Sequence, residues 1–317
     1  MAQKVTPIIY GVDVCKRTLE VCCHGDSSSV VSVQNERKAI KAWLKQLPQN
    51  ACLGVETTNT YHCEVVELAI QHGLTVYLID GYRLSHYRDS VGVRAKTDLT
   101  DAQLIARYLA KEREELRPYQ LLPAAQQRLW QLLKRRAKVV ALMGQLRQSC
   151  GELKAVKSSL TAALSKLDNL VLSIEKQLLQ LATEQGWRED IARLRTIYGV
   201  GPLNALAMVA AFHRGQFQNS DAFVAFLGLD VRVRDSGTYK GKRKLTKKGE
   251  AECRRLLFNA ARAAARGQAM KPYYSSLIER GFSTTQATVA LCRKLARICF
   301  SLLKNKSDYR APILAGG

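Results

Sequence analysis

The first third of the chain alternates short apolar runs with amphipathic stretches. Three short strands are predicted close together, with the turn-forming residues 25–29 before the third. A helix, a strand, a second helix and a fifth strand follow. The predicted strands are Ile8–Val14, Leu19–Cys23, Val30–Val33, Ala51–Glu56 and Leu74–Ile79, and the predicted helices lie near Arg37–Leu47 and Tyr61–Gln71.

This order of elements is that of an RNase H-like α/β domain, although other α/β folds also alternate strands with helices. The domain is predicted over residues 1–118. In an RNase H-like sheet the first and fourth strands are neighbours, so residues distant in sequence are expected to meet there.

The middle of the chain is helical in pattern and has no proline between Pro123 and Pro202. Apolar residues step by four and three, which is the a/d seam of a coiled coil that packs against a partner helix. That partner is either the preceding helix, folded back near Gly151, or another protomer. Residues 119–190 are predicted to be a structural spacer or a dimerisation arm. The seam residues are Leu160, Leu164, Leu167, Val171, Ile174, Leu178 and Leu181.

The last third, residues 191–317, is predicted to be a mainly α-helical domain. Apolar helices are expected near Asp221–Leu227, Ala251–Arg266 and Thr284–Leu303. Between the first two lies the segment 230–249, which holds three glycines and a dense run of basic residues. This segment is predicted to be a loop.

The net charge of the chain is +22, and its distribution is uneven. Residues 1–118 carry a net charge of +1, residues 119–190 carry +5, and residues 191–317 carry +16. A near-neutral domain joined to a strongly basic one indicates that the two have different functions and that the basic one binds a polyanion. Nucleic acid is therefore the predicted partner.

Several protein classes are disfavoured by the composition. No apolar run reaches the length of a membrane helix, and the start of the chain does not follow the layout of a signal peptide. The protein is therefore expected in the cytoplasm, with no membrane partner. The nine cysteines are scattered and form no C-x-x-C pair, so they are interpreted as buried thiols rather than zinc ligands.

Four acidic residues form the candidate metal site. Asp13 lies within the first apolar strand, Glu56 ends the fourth, and Asp98 and Asp101 share one face at the start of a helix. If these carboxylates converge, a divalent cation must offset their repulsion, and hard oxygen ligands suit Mg²⁺ or Mn²⁺. Taken alone, Asp98 is also explained as a helix N-cap and Glu56 as a solvated strand end.

The acidic positions lie in recognisable motifs. Tyr10-Gly11-Val12-Asp13, Gly54-Val55-Glu56-Thr57-Thr58 and Lys96-Thr97-Asp98-Leu99-Thr100-Asp101-Ala102 resemble the DEDD motifs of the insertion-sequence-110 transposases, a family that includes the Piv-type DNA invertases. The resemblance implies a RuvC-like nuclease domain. It also implies that Asp13, Glu56, Asp98 and Asp101 are catalytic metal ligands.

The basic domain carries further motifs. Ile197-Tyr198-Gly199-Val200-Gly201-Pro202 is typical of a helix-hairpin-helix turn, whose glycines let backbone amides hold a DNA phosphate. It is also explained as a plain helix–helix turn. Ser236-Gly237 and Leu245-Thr246-Lys247-Lys248-Gly249 resemble the same family, in which the serine is the recombination nucleophile. The family usually has Thr-Pro where this chain has Asp230-Val231, so the chain departs from the family pattern in the loop but keeps the serine.

A serine nucleophile is chemically reasonable in this setting. Its hydroxyl needs activation by a metal or nearby cations, and six of the nine residues from Lys240 to Lys248 are basic. Two alternatives to a nucleophilic Ser236 are that Tyr239 is the nucleophile, or that Ser236 is an ordinary loop serine without a catalytic role. The predicted nucleic-acid contacts are Gly199, Gly201, Lys240, Lys242, Arg243, Lys244, Lys247, Lys248, Arg254 and Arg255.

The function predicted from these motifs is that of a DNA transposase or site-specific recombinase. It would cut and rejoin DNA through a phosphoserine intermediate. The resemblance further implies a dimer that pairs into a tetramer, a site combining the carboxylates of one protomer with Ser236 of another, and a structured guide RNA. Two alternatives stay open: a RuvC-like nuclease that uses water as its nucleophile, and a non-catalytic nucleic-acid-binding protein.

Overall fold

The computed structural model describes residues 6–26, 30–57, 60–92, 98–232, 235–236, 239–241 and 243–310. At 98–100, 235–236 and 239–240 it describes the backbone alone. The chain divides into two compact units, Met1–Leu121 and Leu122–Gly317.

The first unit is a five-stranded mixed sheet with helices on both faces. The strand order is β3-β2-β1-β4-β5, with β1 antiparallel to β2 and parallel to β4. This architecture is compatible with the predicted RNase H-like domain, and it confirms that the first and fourth strands are neighbours. The strands are β1 Ile8–Val14, β2 Thr18–Cys23, β3 Val30–Gln34, β4 Ala51–Glu56 and β5 Thr75–Ile79. The helices are α1 Arg37–Leu44, α2 Cys63–Gln71, α3 Gly81–Ser90 and α4 Asp98–Glu112.

The two faces of this sheet follow from strand alternation. Val12, Val14 and Val55 point to one face, where they join a core with Ile40 of α1 and Val65 of α2. The residues between them point to the opposite face, where Ile105 and Leu109 of α4 are fully buried. Asp13 and Glu56 belong to this second face.

Helix α3 was not predicted from the sequence. Its apolar residues do not form a clear stripe, and Leu84 is its one buried residue among those described. The start of the helix is stabilised by an N-cap, because the Asp80 side chain accepts hydrogen bonds from the backbone amides of Tyr82 and Arg83.

The second unit is mainly helical, and α5 and α6 form its first layer. These two long helices pack along one another, and the predicted seam is their inner face: Val171 and Leu178 are buried there. Arg136 of α5 donates a hydrogen bond to Glu175 of α6 over 2.6 Å. The preceding helix is therefore the seam's partner within the chain. The helices of this unit are α5 Ala124–Cys150, α6 Lys157–Glu184, α7 Arg188–Leu194, α8 Pro202–Arg214, α9 Ser220–Phe226, α10 Ala251–Ala264, α11 Lys271–Glu279 and α12 Thr284–Asn305.

The core of the second unit surrounds α8. Every residue from Ala205 to Ala211 is fully buried, so this helix is covered on all sides, by α7, α10 and α12 among others. Helix α12 begins with a capping box, in which Ser283 and Gln286 bond reciprocally to each other's backbone amides. Within the described part of the chain, no helix is long and apolar enough to cross a membrane.

Where the sequence predicted a loop between α9 and α10, the described residues of this segment form two-residue strands. Val231–Arg232 (β6) pairs with Lys244–Leu245 (β9), and Asp235–Ser236 (β7) pairs with Tyr239–Lys240 (β8). The predicted loop is therefore a ribbon of short antiparallel ladders.

Candidate functional site

Asp13 and Glu56 are adjacent on one face of the sheet. The parallel register of β1 and β4 runs from Ile8 opposite Ala51 to Val12 opposite Val55, so Asp13 and Glu56 occupy the next positions. Neighbouring strands lie about 5 Å apart, which brings the two carboxylates close together. Asp13 is 8% exposed, and Glu56 is partly exposed.

Helix α4 lies directly on this face because two glycines leave room for it. A Cβ atom at Gly11 would stand 2.1 Å from the Ala102 carbonyl oxygen and 2.4 Å from the Ala106 amide nitrogen. At Gly54 it would meet the side chains of Ile105 and Leu109. Gly11 lies two residues before Asp13, so the strand that carries the carboxylate also supports the start of α4.

Asp101 stands in the first turn of α4 and forms an ion pair that the sequence did not suggest. The Nη2 atom of Arg88 donates to its Oδ1 over 2.5 Å, and both side chains are largely buried. Arg88 comes from α3, whose first residue, Gly81, lies against Glu56: a Cβ there would stand 2.7 Å from Glu56 Oε1. Helix α3 thus touches two of the four predicted acidic residues.

The donor set suits a divalent cation in chemistry, but the described side chains do not complete a site. Asp13 and Glu56 offer neighbouring carboxylate oxygens, the ligands that Mg²⁺ and Mn²⁺ prefer. Asp101 is engaged by Arg88, and the side chain of Asp98 lies outside what the structure describes. Among the side chains that are described, no three His, Cys, Asp or Glu residues stand close enough to hold a metal ion.

Glu20 is a further carboxylate on this face that sequence reasoning missed. It lies directly opposite Asp13 in the antiparallel pairing of β1 with β2, and Ser32 of β3 donates a hydrogen bond to it over 2.7 Å. Its alternation with Leu19 and Val21 in β2 is the signal that could have placed it on the face of Asp13.

In the glycine turn between α7 and α8, Gly199 packs closely against α10 and Gly201 is exposed. Gly199 has φ 90°, and a Cβ there would stand 2.6 Å from the backbone nitrogen of Ala264 in α10. Gly201 precedes Pro202 at the start of α8, and a Cβ there would meet nothing within 4 Å. The space needed for a phosphate at this helix start is therefore present, and its use in DNA binding stays a prediction.

Asp190 of α7 forms ion pairs that link this helix to α8 and to the end of α12. Although only 5% exposed, it bonds Arg193 over 2.6 Å, His213 over 3.1 Å and Lys306 over 2.9 Å. Burial raises the pKa of its carboxyl, but the hydrogen bonds from Lys306 and His213 outweigh that effect, and the pKa lies below its ordinary value. The ring of His213 also stacks on Trp187, with centroids 5.0 Å apart.

The predicted nucleic-acid contacts in the second unit fall into three groups. Arg243, Lys244, Lys247 and Lys248 are exposed. Arg254 donates to backbone carbonyls, and Arg255 forms a two-point ion pair with Glu252. Lys242 and the side chains of Ser236, Tyr239 and Lys240 lie outside the described structure; the backbone of Ser236 pairs with that of Tyr239.

Two family models match the chain in sequence order. A DEDD-type transposase model matches residues 10–156, and a model described as the transposase IS116/IS110/IS902 family matches residues 191–275. The first covers the sheet with α3 and α4, and the second covers the glycine turn, the ribbon and α10.

The chain belongs to the IS110 family of transposases.

Curated relatives agree with this membership over almost the full length. The chain is 25% identical to a pilin gene-inverting protein of Moraxella bovis, with 94% of this chain and 96% of the relative covered. It is 28% identical to a probable family 20 transposase of Pseudomonas aeruginosa, covering 95% and 98%. It is 27% identical to the transposase for insertion sequence element IS1111A of Coxiella burnetii, covering 95% and 91%.

The two family models cover the carboxylates and Ser236 separately. The DEDD-type model spans the carboxylate face, and a DEDD transposase domain is expected to use a divalent metal. The second model spans the basic unit with Ser236.

Proposed function

We propose that this chain is a DNA recombinase that cuts and rejoins DNA strands through a phosphoserine intermediate on Ser236. The observation that carries the proposal is the placement of Asp13 and Glu56 side by side, beneath the start of α4, in a chain matched by transposase models in both units. The names of the relatives, two transposases and a gene-inverting protein, support DNA as the substrate.

Each half of the reaction exchanges one phosphodiester for another. The Ser236 oxygen forms a bond to phosphorus, the bond from phosphorus to one deoxyribose oxygen breaks, and the departing oxygen takes up a proton. In the second half, a hydroxyl of a different strand attacks the phosphoserine and Ser236 regains its proton. The ester keeps the phosphate reactive for rejoining, whereas attack by water would end in cleavage.

The residues of the chain have separate roles in this proposal. Asp13, Glu56, Asp98 and Asp101 would hold Mg²⁺ or Mn²⁺, which would supply charge stabilisation to the phosphate. Asp101 would have to release its ion pair with Arg88 in order to bind the metal ion. The exposed basic residues of the ribbon, Lys244, Lys247 and Lys248 among them, would neutralise DNA phosphates. The turn at Gly199 and Gly201 would hold a phosphate as a helix-hairpin-helix element.

The proposal includes a guide RNA and an oligomer. The net charge of +16 on residues 191–317 is compatible with binding RNA as well as DNA. The helical pair α5–α6 would act as a coiled-coil arm that joins protomers into a dimer, which would pair into a tetramer on nucleoid DNA.

A covalent-trapping assay tests the proposal. Labelled DNA carrying the element's junction is incubated with protein, Mg²⁺ and candidate guide RNA, then separated under denaturing conditions. A protein–DNA adduct is expected, and it should disappear in Ser236→Ala and in Asp13→Asn but persist in Tyr239→Phe. Cut DNA without an adduct, undiminished in Ser236→Ala, would establish a nuclease that uses water. DNA binding without any Mg²⁺-dependent cut would establish a non-catalytic protein.

The same assay addresses the partners. Omitting the RNA should abolish the adduct if a guide is required. Mixing Ser236→Ala with Asp13→Asn should restore part of the adduct if the carboxylates and the serine act from different protomers.

A further inference from the structure

The two ends of the Ser236 ribbon lie side by side in direct backbone contact. We call residues 227–230 and 246–249 the neck, since the ribbon leaves α9 through the first segment and returns to α10 through the second. A Cβ atom at Gly228 would stand 2.8 Å from the Lys247 carbonyl carbon, and one at Gly249 would stand 2.7 Å from the Leu227 carbonyl carbon. The two segments therefore touch without intervening side chains.

Hydrogen bonds join the two sides of the neck. The amide of Lys247 donates to the Gly228 carbonyl over 3.1 Å, and the amide of Thr246 donates to the Asp230 carbonyl over 3.0 Å. The hydroxyl of Thr246 also donates to the Asp230 carboxylate. Beyond these contacts the chain continues directly into the pairing of β6 with β9.

Arg254 bridges the two sides from the first turn of α10. Its Nη1 atom donates to the Gly249 carbonyl over 2.7 Å and to the Leu227 carbonyl over 3.1 Å, one carbonyl from each segment. Leu227 is the C-cap of α9, so its carbonyl belongs to the negative end of that helix, where a cation is stabilised. The side chain is partly buried against Gly228, where a Cβ would stand 2.9 Å from Nη1.

We propose that Arg254 is a positioning residue, which holds the neck closed and thereby fixes where the ribbon presents Ser236. The inference rests on the proposed function, in which Ser236 is the nucleophile. Because two-residue ladders have little stability of their own, the placement of the ribbon depends on its anchored ends. A misplacement of about 1 Å of a reacting group can lower a rate by about 100-fold.

The test separates positioning from a plain phosphate contact. Arg254→Ala removes the bridge, and Arg254→Lys keeps the charge without the planar fork. Thr246→Val loosens the same neck without touching Arg254, and it serves if Arg254→Ala fails to fold. Arg262→Ala is the matched control: it removes an exposed arginine two turns further along α10, away from the neck.

Two readouts are taken. The first is hydrogen exchange at the amides of Thr246 and Lys247 in the protein without DNA. The second is the single-turnover rate of Ser236 adduct formation at saturating DNA, with DNA affinity measured in parallel. Arg254→Ala is expected to speed exchange at these two amides by roughly tenfold, as lost hydrogen bonds would. It is also expected to slow the adduct by about 100-fold while affinity changes little.

If Arg254 positions the ribbon, the other variants and added guanidinium should also give specific results. Thr246→Val should shift both readouts in the same direction by a smaller factor. Arg254→Lys should leave DNA affinity unchanged and should not reach the full wild-type rate of adduct formation. Millimolar guanidinium should restore part of the rate to Arg254→Ala and leave the wild type unchanged. Arg262→Ala should match the wild type throughout.

Other outcomes overturn the inference. Unchanged exchange in Arg254→Ala would mean that the arginine does not hold the neck. Faster exchange with an unchanged adduct rate would mean that the neck does not position the serine. Weaker DNA binding with a wild-type rate at saturation would make Arg254 a phosphate contact. A wild-type protein that forms no serine adduct would remove the proposed function and the positioning role together, while exchange would still report on the neck.

Discussion

Replacing Gly11 by alanine is the sharpest test of the carboxylate site, because the backbone of α4 occupies the space that a methyl group needs. The new Cβ would stand 2.1 Å from the Ala102 carbonyl oxygen and 2.4 Å from the Ala106 nitrogen, both backbone atoms of one helix. Ordinary contact begins at 3.4 Å, so α4 must retreat by about 1.3 Å or β1 must bend. Side-chain rotation cannot relieve this clash.

The cost is expected to be large for a single methyl group. Overpacking in a core typically costs 1–3 kcal/mol, and a clash with backbone should fall at or above about 3 kcal/mol. Any folded protein that remains would carry Asp98 and Asp101 about 1 Å from their native distance to Asp13, enough to lower the rate by about 100-fold.

Two further glycine-to-alanine variants show how the loss of stability depends on what the new methyl group meets. At Gly54 the new methyl meets side-chain methyl groups rather than backbone, Cδ1 of Ile79 at 3.0 Å and Cγ2 of Ile105 at 3.1 Å. Because side chains adjust more readily than a helix backbone, Gly54→Ala should be milder. At Gly144, within α5, a Cβ meets nothing within 4 Å. Gly144→Ala should therefore be neutral or stabilise the helix by about 0.5–1 kcal/mol.

The assay is urea unfolding followed by tryptophan fluorescence. Trp43 is the one tryptophan of the first unit, so Trp130→Phe and Trp187→Phe in the background confine the signal to that unit. Adduct formation is measured on the same proteins. If Gly11→Ala unfolds within about 0.5 kcal/mol of its parent and retains the parental rate, α4 does not pack on β1 as described.

Three further predictions concern the second unit. Asp190→Asn should destabilise the protein by roughly 2 kcal/mol, because it leaves Arg193 and Lys306 without their buried counter-charge while solvent partly compensates them. Since the folded pKa of Asp190 is lowered, its contribution is present above the unfolded pKa near 3.8 and is lost as pH falls below it, so urea titrations should show the variant's deficit shrinking in acid. Burial raises the pKa of the Cys292 and Cys299 thiols to about 12. At pH 8, iodoacetamide should therefore label the exposed Cys63 and should not label Cys292 or Cys299 until the protein unfolds. Labelling of either buried cysteine in the native protein, detected by mass spectrometry, would contradict their burial. Lys248→Ala should lower the slope of log affinity for DNA against log salt by about 0.9, and an unchanged slope would exclude a phosphate contact there.

Local sequence patterns went far in predicting the first unit. Short apolar runs placed all five strands, and the order of elements placed Asp13 and Glu56 on neighbouring strands, as the sheet confirms. These features are readable because each residue's burial depends on its own strand or helix period. Helix α3 was missed because it lacks such a period and depends on the cap at Asp80.

The sequence by itself determined which short segments are apolar, which residues are charged and where the family motifs lie. The tertiary structure decided which distant segments meet. It packed α5 on the seam of α6, brought Arg88 to Asp101, and set Arg254 across the neck of the ribbon. Arg88 and Arg254 look like ordinary surface arginines in sequence, because an ion pair or a carbonyl contact leaves no periodic pattern. The partner of each is fixed by the folding of the whole unit, which local propensity does not encode.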